Sequence, residues 1–264
     1  MLSTFFAAHP VFSLKEAALT LAPGKNRRAM VDRLKYHVKR GSLLQVTRGI
    51  YAVVPAGEEA RNARPDPFLV GLALRSDAVF SHHSALELLG ASHSSWNALT
   101  FFSARPRTPL SAGGMKISTL RHPKQMFDEK GLSVGTRKVE RRGTLVVVTG
   151  PERTLVEGFR RPSLVGGLEE LMTSAGGFPV LDLQLLQHVL ERYDEARLWA
   201  ATGWFLERFR KEFSVPEDFL SGCEKRRPAV AQYLERASRG GALSKRWNLI
   251  LPRSISASVE SHEP

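Results

Sequence analysis

The stretch "LLQVTRGIYAVVP", Leu43 to Pro55, decides how the N-terminal fifth of this chain is read. Leu43, Leu44, Val46, Ile50, Tyr51, Val53 and Val54 are strand formers on either side of Thr47-Arg48-Gly49, a short polar turn with a basic tip. Immediately before it, "NRRAMVDRLKYHVKRG" (26–41) has helical periodicity. Met30, Leu34 and Val38 recur at i, i+4 and i+8 as one apolar stripe with Val31 beside it. The opposite face carries Arg28, Asp32, Lys35, Tyr36 and Lys39, a nearly one-signed set where a solvated face normally mixes signs. Gly41 is placed to stop the helix after Arg40.

Two further helices are expected upstream. An apolar segment, Leu2 to Ala8, halts at His9-Pro10, because proline disfavours helical geometry in the residue before it. "FSLKEAALTL" follows, with Ser13 as N-cap and Glu16 as its capping-box partner, and Pro23-Gly24 breaks it. Three helices and a basic-tipped hairpin make the order of a winged helix-turn-helix. In that motif the second helix lies in the major groove with its N-terminal residues against base edges. Here that helix begins Asn26-Arg27-Arg28; asparagine suits adenine and arginine suits guanine by paired hydrogen bonds. Lys35, Lys39 and Arg40, with Tyr36 among them, are placed for the phosphate backbone, which supplies affinity and register. Thr47 and Arg48 form the tip of the wing, where Arg48 reaches a minor groove or a phosphate.

Charge supports this placement. Residues 1–55 hold nine bases and two acids, a balance of +7, which leaves +5 of the total +12 for the rest of the 264-residue chain. Such a surplus attracts polyanions. The only cysteine, Cys223, permits no internal disulfide and no cysteine-based zinc site, which fits a reducing compartment. "MLSTFFAAHP" lacks the basic n-region of a signal peptide, and no apolar run approaches the ~20 residues of a membrane span. A cytoplasmic protein with no membrane partner is expected.

"PAGEEARNARPDP" (55–67) is polar and proline-rich, so the chain divides into a winged-helix domain at 1–55, a linker at 56–67 and a larger body at 68–250. The body opens with a helix, a short strand near Ala78–Phe80 and a helix ending at Gly90. Strands follow in "ALTFFSA", "MKISTLRH", "LSVGTRKVER" and "GTLVVVTG", then helices in "PERTLVEGF", "SLVGGLEELMTSA", "VLDLQLLQHVLERYD" and "LWAATGWFLERF". The fold class is α+β: an N-terminal winged helix-turn-helix domain followed by a larger mixed α/β C-terminal domain ending in helices. "LPRSISASVESHEP" (251–264) lacks periodicity and reads as a flexible tail.

Motifs for chemistry are scarce. His82-His83 has no companion ligand spacing, and its expected role is local hydrogen bonding near Ser81 and Ser84. Cys223 has no assignable histidine partner. No Walker-type loop or G-x-S-x-G elbow occurs. Asp128 and Glu129 are a lone adjacent pair of acids in a polar loop; a metal-dependent nuclease built on them is the weakest reading. No catalytic residue, metal or cofactor is expected. Arg137-Lys138 and Arg141-Arg142 either extend a DNA footprint or belong to a solvated hairpin.

The ordered set "VFSLKEA", "LKYHVKRGSLLQVTRGIYAV", "DPFLVGLAL", "AVFSHHSALELLG" and "GTLVVVTGPERTLVEGFRRPSLVGGLEEL" resembles the AbiEi antitoxin family of type IV toxin–antitoxin systems over roughly residues 5 to 210. The more specific part is Glu152 to Leu171. The resemblance implies a regulator whose winged helix binds inverted repeats in its own promoter and represses its operon. It also implies a C-terminal antitoxin domain that counters a nucleotidyltransferase toxin, with or without a stable complex. It places Arg27, Arg28, Lys35, Lys39 and Arg48 at DNA-facing positions, and Glu152, Arg153 and Glu157 in the antitoxin-domain motif. Arg153 and Glu157 stand one turn apart as a possible i,i+4 pair that holds helices together or acts in neutralisation. A regulator without a toxin partner is the alternative.

Overall fold

Ser13 marks the first junction. Its hydroxyl accepts from Glu16 N at 3.1 Å while Glu16 Oε2 accepts from Ser13 N at 3.4 Å, so two orphan donors of the helix start are satisfied reciprocally. The helix so capped, α2 (Leu14–Leu21), follows α1 (Leu2–Ala8) and a strand, β1 (Val11–Ser13). The helix begins at Leu14, as the Ser13 cap predicts, and the strand before it is an element the sequence did not announce. Its backbone pairs antiparallel with β3 (Ile50–Val53), Val11 opposite Ala52 and Ser13 opposite Ile50. Between them come α3 (Arg27–Lys39) and β2 (Leu43–Thr47), and the small sheet has the order β1-β3-β2. The computed structural model describes residues 2–21, 27–112, 114–128, 133–235 and 240–255.

Phe5, Phe12, Met30, Leu34, Leu43 and Tyr51 close the core of this module, with Val31 and Val38 packed against it. The stripe read from the sequence is therefore the buried face of α3. Gly41 ends that helix at φ +78, with Gly41 N donating to Val38 O and Ser42 N to His37 O, a Schellman closure.

The remaining elements are α4 (Pro67–Leu74), β4 (Val79–Phe80), α5 (His83–Leu88), β5 (Ala98–Ser103), β6 (Leu110–Ala112), β7 (Met115–Arg121), β8 (Thr136–Arg141), β9 (Thr144–Thr149), α6 (Pro151–Arg160), α7 (Leu168–Gly176), α8 (Leu183–Tyr193), α9 (Ala196–Arg208), α10 (Glu217–Lys225), β10 (Gln232–Tyr233), β11 (Ala242–Ser244) and β12 (Leu249–Leu251). A six-stranded sheet runs β6-β7-β5-β4-β9-β8, with β5 and β7 parallel. The architecture is mixed α+β, as expected.

Three expectations are corrected. "SLVGGLEELMTSA" is not one helix: Gly166 and Gly167 take φ of +91 and +103, so a 3-10 turn at Pro162–Leu164 is separated from α7. The helices are followed by a small sheet, β10-β12-β11, and Arg246 ties its turn to Glu207, Glu217 and Glu224 on and around α9 and α10. The segment expected as a tail begins inside the fold, for Leu251 belongs to β12 and Ile255 is buried; residues 256–264 lie outside the described residues.

The chain forms two compact units. One comprises residues 1–79, 97–121 and 138–147, and the other 80–96, 122–137 and 148–264. The stretch 56–67 lies within the first unit, with Ala63 buried and Asp66 capping α4 through bonds to Phe68 N and Leu69 N. The core of the second unit is built on α6 to α10, where Leu186, Val189 and Leu190 form the buried face of α8. Gly203 of α9 is required there, since a Cβ would run into the ring of buried Trp247.

Candidate nucleic-acid interface

On α3 the apolar stripe faces inward, so the charges must face out. Arg27, Arg28, Arg33, Lys35 and Lys39 are all exposed, as is Arg40 just beyond the helix, and Asp32 is the one acid among them. Lys35 Nζ is 4.0 Å from Asp32, a separation at which an exposed pair contributes little. Asn26, expected at the head of this helix, lies outside the described residues. Arg33 was not singled out in the sequence, although its exposure follows from its place off the Met30–Leu34–Val38 stripe.

Tyr36 is 53% exposed and organises the C-terminal part of this face. Arg40 Nη1 donates to its hydroxyl at 3.1 Å, and the guanidinium sits 5.7 Å from the ring centroid. His37 hydrogen-bonds Ser42 Oγ at 3.0 Å, and its pKa is lowered by partial burial and by Arg33 and Arg40, which keeps a further charge off this end.

The wing is short and anchored. Thr47 pairs with Ile50 across a two-residue turn of exposed Arg48 and Gly49, the latter at φ +80. Gly49 O accepts from Leu14 N at 2.8 Å, tying the turn to the start of α2. Thr47 is half-buried and orients the strand end.

The charged residues of α6 behave in the opposite way. Arg153 is 0% exposed and Glu157 2%. Arg153 Nε donates to Glu157 Oε1 at 2.7 Å, and its Nη1 donates to Ser133 Oγ and Val134 O. The same Glu157 oxygen accepts from Tyr193 of α8 at 2.7 Å. Burial, and next the Glu157 charge, push the Tyr193 pKa far up. Glu152, also buried, accepts from Asp182 N at 3.0 Å. The expected i,i+4 pair is thus present, and all three motif residues are below the surface.

The basic run 137–142 has partners within the chain. Arg141 Nε donates to Asp66 Oδ2 at 2.8 Å and stacks 5.0 Å from the centre of the Phe68 ring. Arg142 Nε lies 3.4 Å from the same oxygen, and Arg137 is 3.9 Å from Glu152. Lys138 is exposed.

Among the described residues none of the three candidates for chemistry gathers a site. His82 caps α5 at φ +56 with its Nδ1 2.9 Å from Ser81 Oγ, and burial, followed by Arg161, Arg153 and Arg160, lowers its pKa to about 3. His83 is buried against Trp96, 3.6 Å from Glu170. Cys223 is buried in α10, which raises its thiol pKa to about 12. Asp128 is described, but Glu129 lies outside the described residues. Among the described residues no group of three or more His, Cys, Asp or Glu side chains is arranged to hold a metal ion, and no helix is long and apolar enough to cross a membrane.

No curated protein matches this sequence. Among solved structures, the crystal structure of the RV2827C protein from Mycobacterium tuberculosis aligns over 99% of this chain and 94% of its own, with a TM-score of 0.64 and 14% identity. At that identity the likeness is one of fold. The family model described as "Transcriptional regulator, AbiEi antitoxin" matches residues 1–54, the span that opens with α1 and closes just after β3.

Proposed function

We propose that this protein is a DNA-binding transcriptional autorepressor that also acts, in the cytoplasm, as the antitoxin of a type IV toxin–antitoxin system against a nucleotidyltransferase toxin. The observation that carries the reading is the outward cationic face of α3, set in a winged-helix module over the span matched by the regulator family model. In this reading residues 1–55 are the DNA-binding domain and 68–250 the antitoxin domain. Arg27 and Arg28, with Asn26, address base edges at the groove floor. Lys35, Lys39 and Arg40, the last held by Tyr36, take phosphates, and Thr47 and Arg48 bring the wing to the neighbouring groove. Inverted repeats in the promoter bring two copies together.

Fluorescence anisotropy of the protein on its own upstream DNA and on a scrambled duplex, over a salt series, tests the repressor half. Selective binding that weakens steeply with salt and is lost in Arg27→Ala/Arg28→Ala is expected. Equal binding to both duplexes would overturn it. Co-expression with a nucleotidyltransferase toxin of such a system tests the antitoxin half, growth rescue being the expected result. Because the family match ends at residue 54, a regulator without a toxin partner is the second reading, and failure of rescue with intact operator binding selects it.

A further inference from the structure

We propose that the second compact unit holds a binding site for a small phosphate-bearing molecule, in the cavity between the end of α6 and the first turn of α9. The cavity measures about 660 Å³, within the range of small-ligand sites. Arg160, Arg161 and Arg197 line it, together with Glu195 and Glu235.

Two of the arginines are fixed by the fold. Arg160 Nε donates to Glu195 Oε1 at 2.7 Å, and its guanidinium lies 5.1 Å from the centre of the Tyr193 ring. Arg197 is 8% exposed and donates from Nη1 to Phe159 O and Leu234 O, each at 3.1 Å. Arg161 differs: it is exposed at the cavity edge, and among the described residues its guanidinium has no side-chain partner. Planar guanidinium forks match phosphate oxygens in paired hydrogen bonds, so an unengaged arginine beside two oriented ones is a ready anion cradle. Ser163 and Gln232 at the rim add neutral polar groups.

The charge count selects the class of anion. Among the described lining residues, three guanidinium groups stand against two carboxylates, a balance of one positive charge. The N-terminus of α9, whose Glu195 side chain makes no capping bond, adds about half a charge. A phosphate monoester, carrying about −1.5 to −2 at neutral pH, balances this better than a single carboxylate.

Calorimetric titration of the full chain with inorganic phosphate and with AMP, against chloride of matched ionic strength and adenosine, tests the site. Saturable one-to-one binding of phosphate or AMP is expected, with no response to adenosine. Arg161→Ala should weaken it at least about tenfold, the effect of losing hydrogen bonds to a charged group. Arg48→Ala in the wing should leave it unchanged. Ser163→Glu, which brings a carboxylate to the rim without removing an arginine, should reproduce the loss. AMP binding more tightly than phosphate marks a nucleotide ligand, and equal affinities mark recognition of the phosphate alone; both support the site. No saturable response, undiminished binding in both Arg161→Ala and Ser163→Glu, or loss in Arg48→Ala would overturn it.

Discussion

Helices α3 and α6 are both arginine-bearing, and they use that charge in opposite ways. Along α3 the buried residues are Met30 and Leu34, while Arg27, Arg28, Lys35 and Lys39 stand in solvent. Along α6 every residue from Pro151 to Phe159 is buried, Glu152, Arg153 and Glu157 included. An exposed charge contributes little to folding stability and remains available to an outside partner. A buried charge must be matched inside the fold, and then its loss is felt by the fold. The comparison teaches that the charges of α3 are carried on the surface, whereas those of α6 are matched inside the fold.

The sharpest test is Glu157→Ala, which leaves Arg153 and Tyr193 buried without their shared acceptor. Removing one partner of a buried pair costs about 3–5 kcal/mol, so denaturant unfolding should show a loss of that order. An unchanged midpoint would break the comparison on the α6 side.

A second test uses pH. His82 is neutral in the fold, with a pKa of about 3 against 6.5 for the free side chain. Its contribution is therefore complete above 6.5 and is lost as pH falls toward 3, because the unfolded chain takes up a proton that the native state refuses. The loss runs at about 1.4 kcal/mol per pH unit, or roughly 2 kcal/mol by pH 5. His82→Asn should flatten that part of the stability–pH curve measured by urea unfolding.

On the α3 side, Arg28→Ala should cost about 1–3 kcal/mol of operator affinity and relax preference at one base. Lys39→Ala should weaken all sequences alike and reduce the salt slope by about one. Neither should move the thermal midpoint measurably, and identical sequence profiles for the two variants would erase the division between base and phosphate contacts. The smallest effect is expected from Ser13→Ala, which removes one half of the capping box. A loss of about 1 kcal/mol in thermal unfolding is expected.

What was legible in the sequence is what local chemistry determines. The capping pair Ser13 and Glu16, the stripe through Met30 and Leu34, the glycine that ends α3 and the wing turn all follow from neighbours within a few residues. Strand β1 did not, because three residues after a proline become a strand only when Ile50 to Ala52 lie alongside. The two- and three-residue strands β10 to β12 are equally silent without their partners. The spacing of Arg153 and Glu157 was readable, but their burial was not, since a charged i,i+4 pair on an isolated helix belongs at the surface. Arg141 and Arg142 looked like free cations because Asp66, which takes both, lies 75 residues from Arg141.

That separation has a kinetic side. Every partner in the β1-β3-β2 sheet exists once Val53 has been made, so the module can close before the rest of the chain is synthesised. Asp66 can cap α4 as soon as Leu69 is available through Oδ1, but Oδ2 must wait for Arg141. Strand β4 likewise waits for β9 before both its edges are paired. Synthesis from the N-terminus therefore delivers the basic helix and its wing as an early folding unit, while the six-stranded sheet is assembled only after most of the chain has emerged.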